Sequence, residues 1–149
     1  MADSVRTLIL DNIVTTIAAI AKGASYSRTV RTCKRNVQTM PDVPQWDAVW
    51  IERTNDAVEP RCGVMVCTMT VLLAGMVHAF GAVGEAVDAL RADIEKALSV
   101  DVTRSGNAID TRVVSSEEAV YETEEPLGGL TVKLEVTYRY RAGDPYTRA

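Results

Sequence analysis

Along residues 3–21 the apolar side chains Val5, Leu8, Ile9, Ile13, Ile17 and Ile20 recur at intervals of three and four, with Asn12 and Thr16 on the same stripe. That spacing predicts an amphipathic helix. Asp3 or Ser4 can cap its start, and Gly23 stands where a helix commonly stops. Its many β-branched residues lower helix propensity, so burial of the isoleucine stripe must supply the stability. A strand is expected over residues 26–37, rich in Thr, Val, Tyr and Arg, followed by a loop at MPDVPQWD. AVWIER, residues 48–53, predicts a short strand, and TNDAVEPRCG after it a second long loop. Residues 63–77 predict a long strand that is apolar on both faces: Val64, Val66, Leu72 and Met76 on one, Met65, Met69, Val71, Leu73 and Val77 on the other. Such a strand belongs in the middle of a sheet covered on two sides, by helices or by a partner chain.

Val83, Val87, Leu90, Ile94 and Leu98 form one stripe of a second helix over residues 81–99, with Asp88, Arg91, Asp93 and Glu95 mostly opposite. Two more strands follow, at 109–122 and 130–141. In the latter Leu130, Val132, Leu134, Val136, Tyr138 and Tyr140 alternate strictly with polar residues, so one face is expected in the core and one in water. EEPLGG between them reads as a hairpin loop with glycines for positive φ. The expected fold is α+β, a single domain over residues 1–149 in the order α-β-β-β-α-β-β. Its sheet of about five strands is mostly antiparallel, with two amphipathic helices on one face.

The 149 residues are 47% hydrophobic and 24% charged, an ordinary globular balance that excludes disordered, collagen-like and disulfide-scaffold chains. Sixteen basic and twenty acidic side chains leave a net charge of −4, the wrong sign for a chain whose task is to grip nucleic acid. Residues 1–10 lack the pattern of a secretory leader. The longest apolar run, broken by Thr68, Thr70, Gly75 and His78, suits a buried strand better than a membrane helix. Cys33, Cys62 and Cys67 fit neither a disulfide framework nor a zinc site, and are expected as reduced thiols packed as small hydrophobes.

No phosphate loop, dinucleotide fingerprint, nucleophile elbow or zinc-protease motif occurs. Gly81 and Gly84 precede a helix without the lysine or hydroxyl residue a phosphate site needs, and His78 is expected as a core or rim histidine. No catalytic, metal or cofactor-binding residue is assigned. Two charge clusters remain. Arg28, Arg31, Lys34 and Arg35 place four cations on the first expected strand, Arg31 and Arg35 on one face and Arg28 and Lys34 on the other. Glu117, Glu118, Glu122, Glu124 and Glu125 place five carboxylates around the last hairpin loop. They are solvated surfaces or complementary patches that dock copies head to tail. DNA binding by the basic strand alone is a weaker third reading, because the chain is acidic and only Tyr26 could stack nearby.

The layout resembles the tail terminator (tail completion) proteins of long-tailed bacteriophages. The resemblance rests on the opening helix SVRTLILDNIVTTIAAI, the second helix AVGEAVDALRADIEKAL and the final LTVKLEVTYRYRAGDPY, above all YRYRAGDPY from Tyr138 to Tyr146. It covers nearly the whole chain and implies a structural, non-enzymatic virion protein without a cofactor. The implied assembly is a hexameric ring that caps the tail tube, ends its polymerisation and offers a surface for joining the filled head. The implied partners are further copies of the chain, the tail tube protein and a head-completion or connector protein. Viral DNA would pass through the lumen without sequence-specific binding, and no membrane is involved. The implied location is the head-proximal end of the virion tail, after assembly in the host cytoplasm. A head-completion or neck protein of the same joint, and a small cytosolic enzyme or ligand-binding domain, are the alternatives. The acidic residues 117–125 are expected to line the hole or meet a basic neighbour, and the loops at 39–47 and 54–62 to contact other subunits or the tube.

Overall fold

A computed structural model describes residues 2–35, 47–79, 81–121 and 127–149. Helix α1 spans Val5–Ala18 and is capped by Ser4, whose hydroxyl accepts from the Thr7 amide at 3.1 Å. Strands β1 (Thr32–Lys34), β2 (Ala48–Arg61) and β3 (Val64–His78) follow, then helix α2 (Val83–Val100) and strands β4 (Asp110–Tyr121), β5 (Leu127–Arg141) and β6 (Asp144–Arg148). The sheet order is β1-β2-β3-β5-β4, with β6 paired to the far end of β5. Every pairing is antiparallel except β1 with β2.

Both helices pack on one face. Cys67, Met69, Val71, Leu73 and Val77 of β3 and Leu130, Val132, Leu134, Val136 and Tyr138 of β5 point into one core with Ile9, Ile13 and Ile17 of α1 and Val87, Leu90, Ile94 and Leu98 of α2. Leu8 departs from the expected stripe: it is 38% exposed, and Leu10 is buried in its place. α1 also stops at Ala18, before Gly23.

Of the two apolar faces of β3, this one is covered by both helices. Thr68, Thr70, Leu72, Ala74 and Met76 are half-buried on the other face, where no helix or strand among the described residues lies over them.

Three elements differ from expectation. Of the strand predicted over 26–37, whose last two residues lie outside the described ones, only Thr32–Lys34 is strand, because the backbone before it finds partners elsewhere. The Gly23 amide donates to Tyr26 O, the Lys22 amide to Thr29 Oγ1, and the Ser27 and Arg28 amides to the Asp93 carboxylate, so residues 22–29 form turns.

Residues 54–61, predicted as a loop, instead continue β2. A bulge between Ile51 and Arg53 shifts the register, and pairing with β3 then runs unbroken to Arg61. The turn-forming residues of TNDAVEP are overridden because their inward positions are held by polar bonds. Arg6 Nε donates to Asp56 Oδ1 at 3.0 Å, Arg6 Nη2 donates to Thr54 Oγ1, and Tyr138 Oη donates to Asp56 Oδ2 at 2.6 Å.

The third difference is β6, a sixth strand made of the tail end of YRYRAGDPY. It folds back on β5 through Gly143, whose φ of +79° the turn requires. The Ala142 amide donates to Gly63 O at 3.0 Å, which ties this turn to the β2–β3 turn.

Candidate functional site

The basic cluster divides once the strand containing it is shortened. Arg28 leaves the surface set: its Nε and Nη2 donate to the Asp47 carboxylate at 2.5 and 2.9 Å, and its amide donates to Asp93 Oδ2 at 2.8 Å. It fastens the turn after α1 to the start of β2, and the expected face shared by Arg28 and Lys34 does not exist. Arg31, Lys34 and Arg35 stay together along β1, the outermost strand of the sheet. Arg31 and Lys34 are exposed, and Arg35 reaches across the helix-covered face to Asp11 of α1 at 3.7 Å.

The acidic cluster begins on the opposite outermost strand, β4. Glu117 is exposed there, and Glu118 lies 3.7 Å from Arg91 of α2. Glu122, Glu124 and Glu125 lie outside the described residues, as does most of the expected loop at 39–47. The basic cluster therefore sits at one edge of the sheet, and Glu117 and Glu118 sit on the opposite edge strand, which also carries Arg112 near its start. Among the described residues no strand pairs with the outer side of β1 or of β4.

Two hollows lie on the open face. One of about 420 Å³ is lined by Trp50, Glu52, Met76, Glu117 and Thr131, and one of about 450 Å³ by Arg53, Asn55, Thr70, Leu72 and Lys133. Neither brings a nucleophile to a base. Among the described residues no group of His, Cys, Asp and Glu is placed to hold a metal ion, and no helix is long and apolar enough to cross a membrane.

The nearest approach to chemistry is Asp56 with Tyr138 and Cys67. Burial first and the Asp56 hydrogen bond second push the Tyr138 phenol far above its usual range, and burial raises the Cys67 thiol. Both carboxylate oxygens of Asp56 are already engaged, so this cluster ties α1 to β2 and β2 to Tyr138 of β5.

All three cysteines are free thiols in different settings. Cys67 is buried and Cys33 half-buried, as expected, but Cys62 is exposed at the hairpin tip with a φ of +47°. Burial pushes the Cys33 thiol up to about 12. Brief treatment with iodoacetamide at pH 8 is expected to modify Cys62 and to spare Cys33 and Cys67 until the chain unfolds. Peptide mapping checks this, and modification of Cys67 at the rate of Cys62 would contradict the packing.

Two residues central to this geometry carried no recognisable signal in the sequence. Asp93 was expected on the solvent side of α2, yet it is only 4% exposed and receives the amides of Ser27 and Arg28. Arg104 is fully buried in the turn after α2.

No protein-family model matches the chain, and no curated protein matches it. Among solved structures it is similar to a chain of the "Virion of native gene transfer agent (GTA) particle", with 10% sequence identity and a TM-score of 0.47, over 89% of this chain and 97% of that one.

Proposed function

We propose that this chain is a structural, non-enzymatic subunit of a long-tailed phage virion. It assembles into a ring on the head-proximal end of the tail tube, ends tube polymerisation and offers the surface to which the filled head joins. The observation that carries this reading is the placement of Arg31, Lys34 and Arg35 at one outermost strand of the described sheet and of Glu117 and Glu118 on the other. A surface that complements its own opposite side favours head-to-tail association, which closes into a ring when the rotation between copies allows it.

The resemblance of the helices and of YRYRAGDPY to tail terminators supplies the rest: six copies, the tube protein and a head-completion or connector protein as partners, and DNA passing through the lumen. The net charge of −4 per copy suits a channel that lets DNA slide without holding it. Assembly would take place in the host cytoplasm.

Mixing the purified protein with polymerising tail-tube subunit and viewing the product by negative-stain electron microscopy tests the proposal. Rings seated on tube ends and an arrest of elongation are expected. Tubes that keep growing, with no density at their ends, would refute it. Separate pull-downs with tube subunit and head connector distinguish a terminator from a neck protein.

A further inference from the structure

The two edges match in level as well as in charge. Following the strand pairing across the sheet, one row of neighbours runs Lys34–Trp50–Ala74–Thr131–Glu117. The adjacent row runs Cys33–Val49–Gly75–Leu130–Glu118. A cation thus ends the first row at one edge and a carboxylate ends the same row at the other.

The strand directions match as well. β1 is parallel to β2, and three antiparallel steps then lead through β3 and β5 to β4, so β1 and β4 point in opposite directions. Two copies standing side by side in the same orientation bring β4 of one against β1 of the next as antiparallel strands, the commoner kind of pairing.

We propose that copies of this chain join by continuing the sheet, β4 of one copy adding to β1 of the next with Glu117 opposite Lys34. The joint rests on the ring reading above for its closure. In this register Glu118 falls opposite Cys33 on the helix-covered face, with Arg35 as its diagonal neighbour, within reach of a long side chain. A slip of one residue would turn Glu117 to the face away from Lys34, so charge and pleat select the same register. Because donor and acceptor edges end the same row, successive copies gain no step along the strand direction. A contact with such a step would wind into a helix instead of closing. β1 has only three residues, so a single joint is short, and a closed ring, holding each copy on both sides, is far firmer than an isolated pair.

The test uses two exposed charges, Lys34 and Glu117, with circular dichroism to confirm that each variant keeps the fold. Lys34→Glu or Glu117→Lys alone is expected to abolish rings, measured by sedimentation and electron microscopy with and without tube subunit. The double variant should restore them. An equimolar mixture of the two single variants should restore them too, because each presents the edge the other needs. For register, Lys34→Cys and Glu117→Cys chains, each in a Cys62→Ser background, are mixed and oxidised. Disulfides are expected between unlike chains only. Rings that persist in either single variant, or wild-type-sized rings without these disulfides, overturn the edge joint and leave the ring reading standing. Disulfide-linked open chains without rings uphold the joint and overturn the ring reading. Absence of both rings and disulfides overturns both.

Discussion

Replacing Arg104 with alanine is expected to lower the free energy of unfolding by about 3 kcal/mol, combining lost hydrogen bonds to a charged group with the cavity left behind. Arg104 is fully buried, an unusual place for arginine, and it lies where α2 ends. A helix leaves its last carbonyls without intrahelical partners. Arg104 Nη2 donates to Leu98 O at 2.7 Å and also to Asp101 O, so one nitrogen satisfies two of these acceptors. Its Nε and Nη1 have no hydrogen-bond partner among the described residues, and burial lowers the guanidinium pKa while Asp101 opposes the shift.

The backbone is held at some cost as well. Arg104, Ser105 and Gly106 have φ of +49°, +58° and +80°, a left-handed run that L-residues resist. Asp101 steadies the turn by accepting from the Thr103 and Ser105 amides at 3.0 and 2.7 Å. Arg148 closes it from β6 by donating to Gly106 O at 2.5 Å. Arg104→Lys keeps the charge but loses the planar fork, and should recover less than half of the loss. Urea titration of the three proteins decides the matter. An alanine variant within about 0.5 kcal/mol of wild type, the range of ordinary surface substitutions, would show that the guanidinium contributes nothing net.

Gly128→Ala is expected to destabilise by about 2 kcal/mol, a typical cost of overpacking, although glycine inside a strand is ordinarily a weak choice. A Cβ at Gly128 would stand 2.3 Å from Val87 Cγ2 and 2.7 Å from Val83 Cγ1, both on α2. Valine side chains on a helix have essentially one free rotamer, so the helix itself must move away from the sheet. Truncating the obstruction should reverse part of the effect: in the Val87→Ala background the cost of Gly128→Ala should fall by at least about 1 kcal/mol, the coupling expected of touching residues. Strict additivity of the two substitutions in thermal denaturation would refute the close approach. The glycines of EEPLGG were expected to serve a turn. Gly128 is instead paired in β5 opposite Val77, and its lack of a side chain serves helix–sheet contact.

These two residues mark the boundary of what the sequence makes legible. Val87, Leu90, Ile94 and Leu98, and the alternation from Leu130 to Tyr138, announce their elements because each buried face repeats at the period of its backbone. Residues 54–61 lack that repeat, since polar bonds among Arg6, Asp56 and Tyr138 take the place of apolar burial there, and the partners are as much as 82 residues apart in sequence. Asp93 is opaque because it satisfies amides some 65 residues away that only the tertiary fold brings near. Arg104 is opaque because its bonds to Leu98 O and Asp101 O need a left-handed turn that its residue type does not announce. For the candidate interface, the clusters of charge could be read directly, whereas their arrangement could not. That Lys34 and Glu117 end one row depends on four strand pairings, including a bulge in β2 and another in β4, and on Arg28 being withdrawn from the set by Asp47.

The place of β5 bears on how the chain is made. β5 lies between β3 and β4, yet it follows both in the chain. While the protein is being translated, α1, β2, β3 and α2 can emerge and meet, but β3 lacks its second neighbour and β4 has no neighbour at all. The apolar inner positions of β3 then depend on α1 and α2 alone for shelter until residues 127–141 leave the ribosome. Domains generally fold as units during synthesis, and unpaired strand edges in an incomplete one invite misassembly. A nascent chain of this topology therefore remains unable to present both edges β1 and β4 on one finished sheet until nearly all of these residues have been made. If copies join through these two edges as proposed, half-made chains on a polysome would be unable to join prematurely.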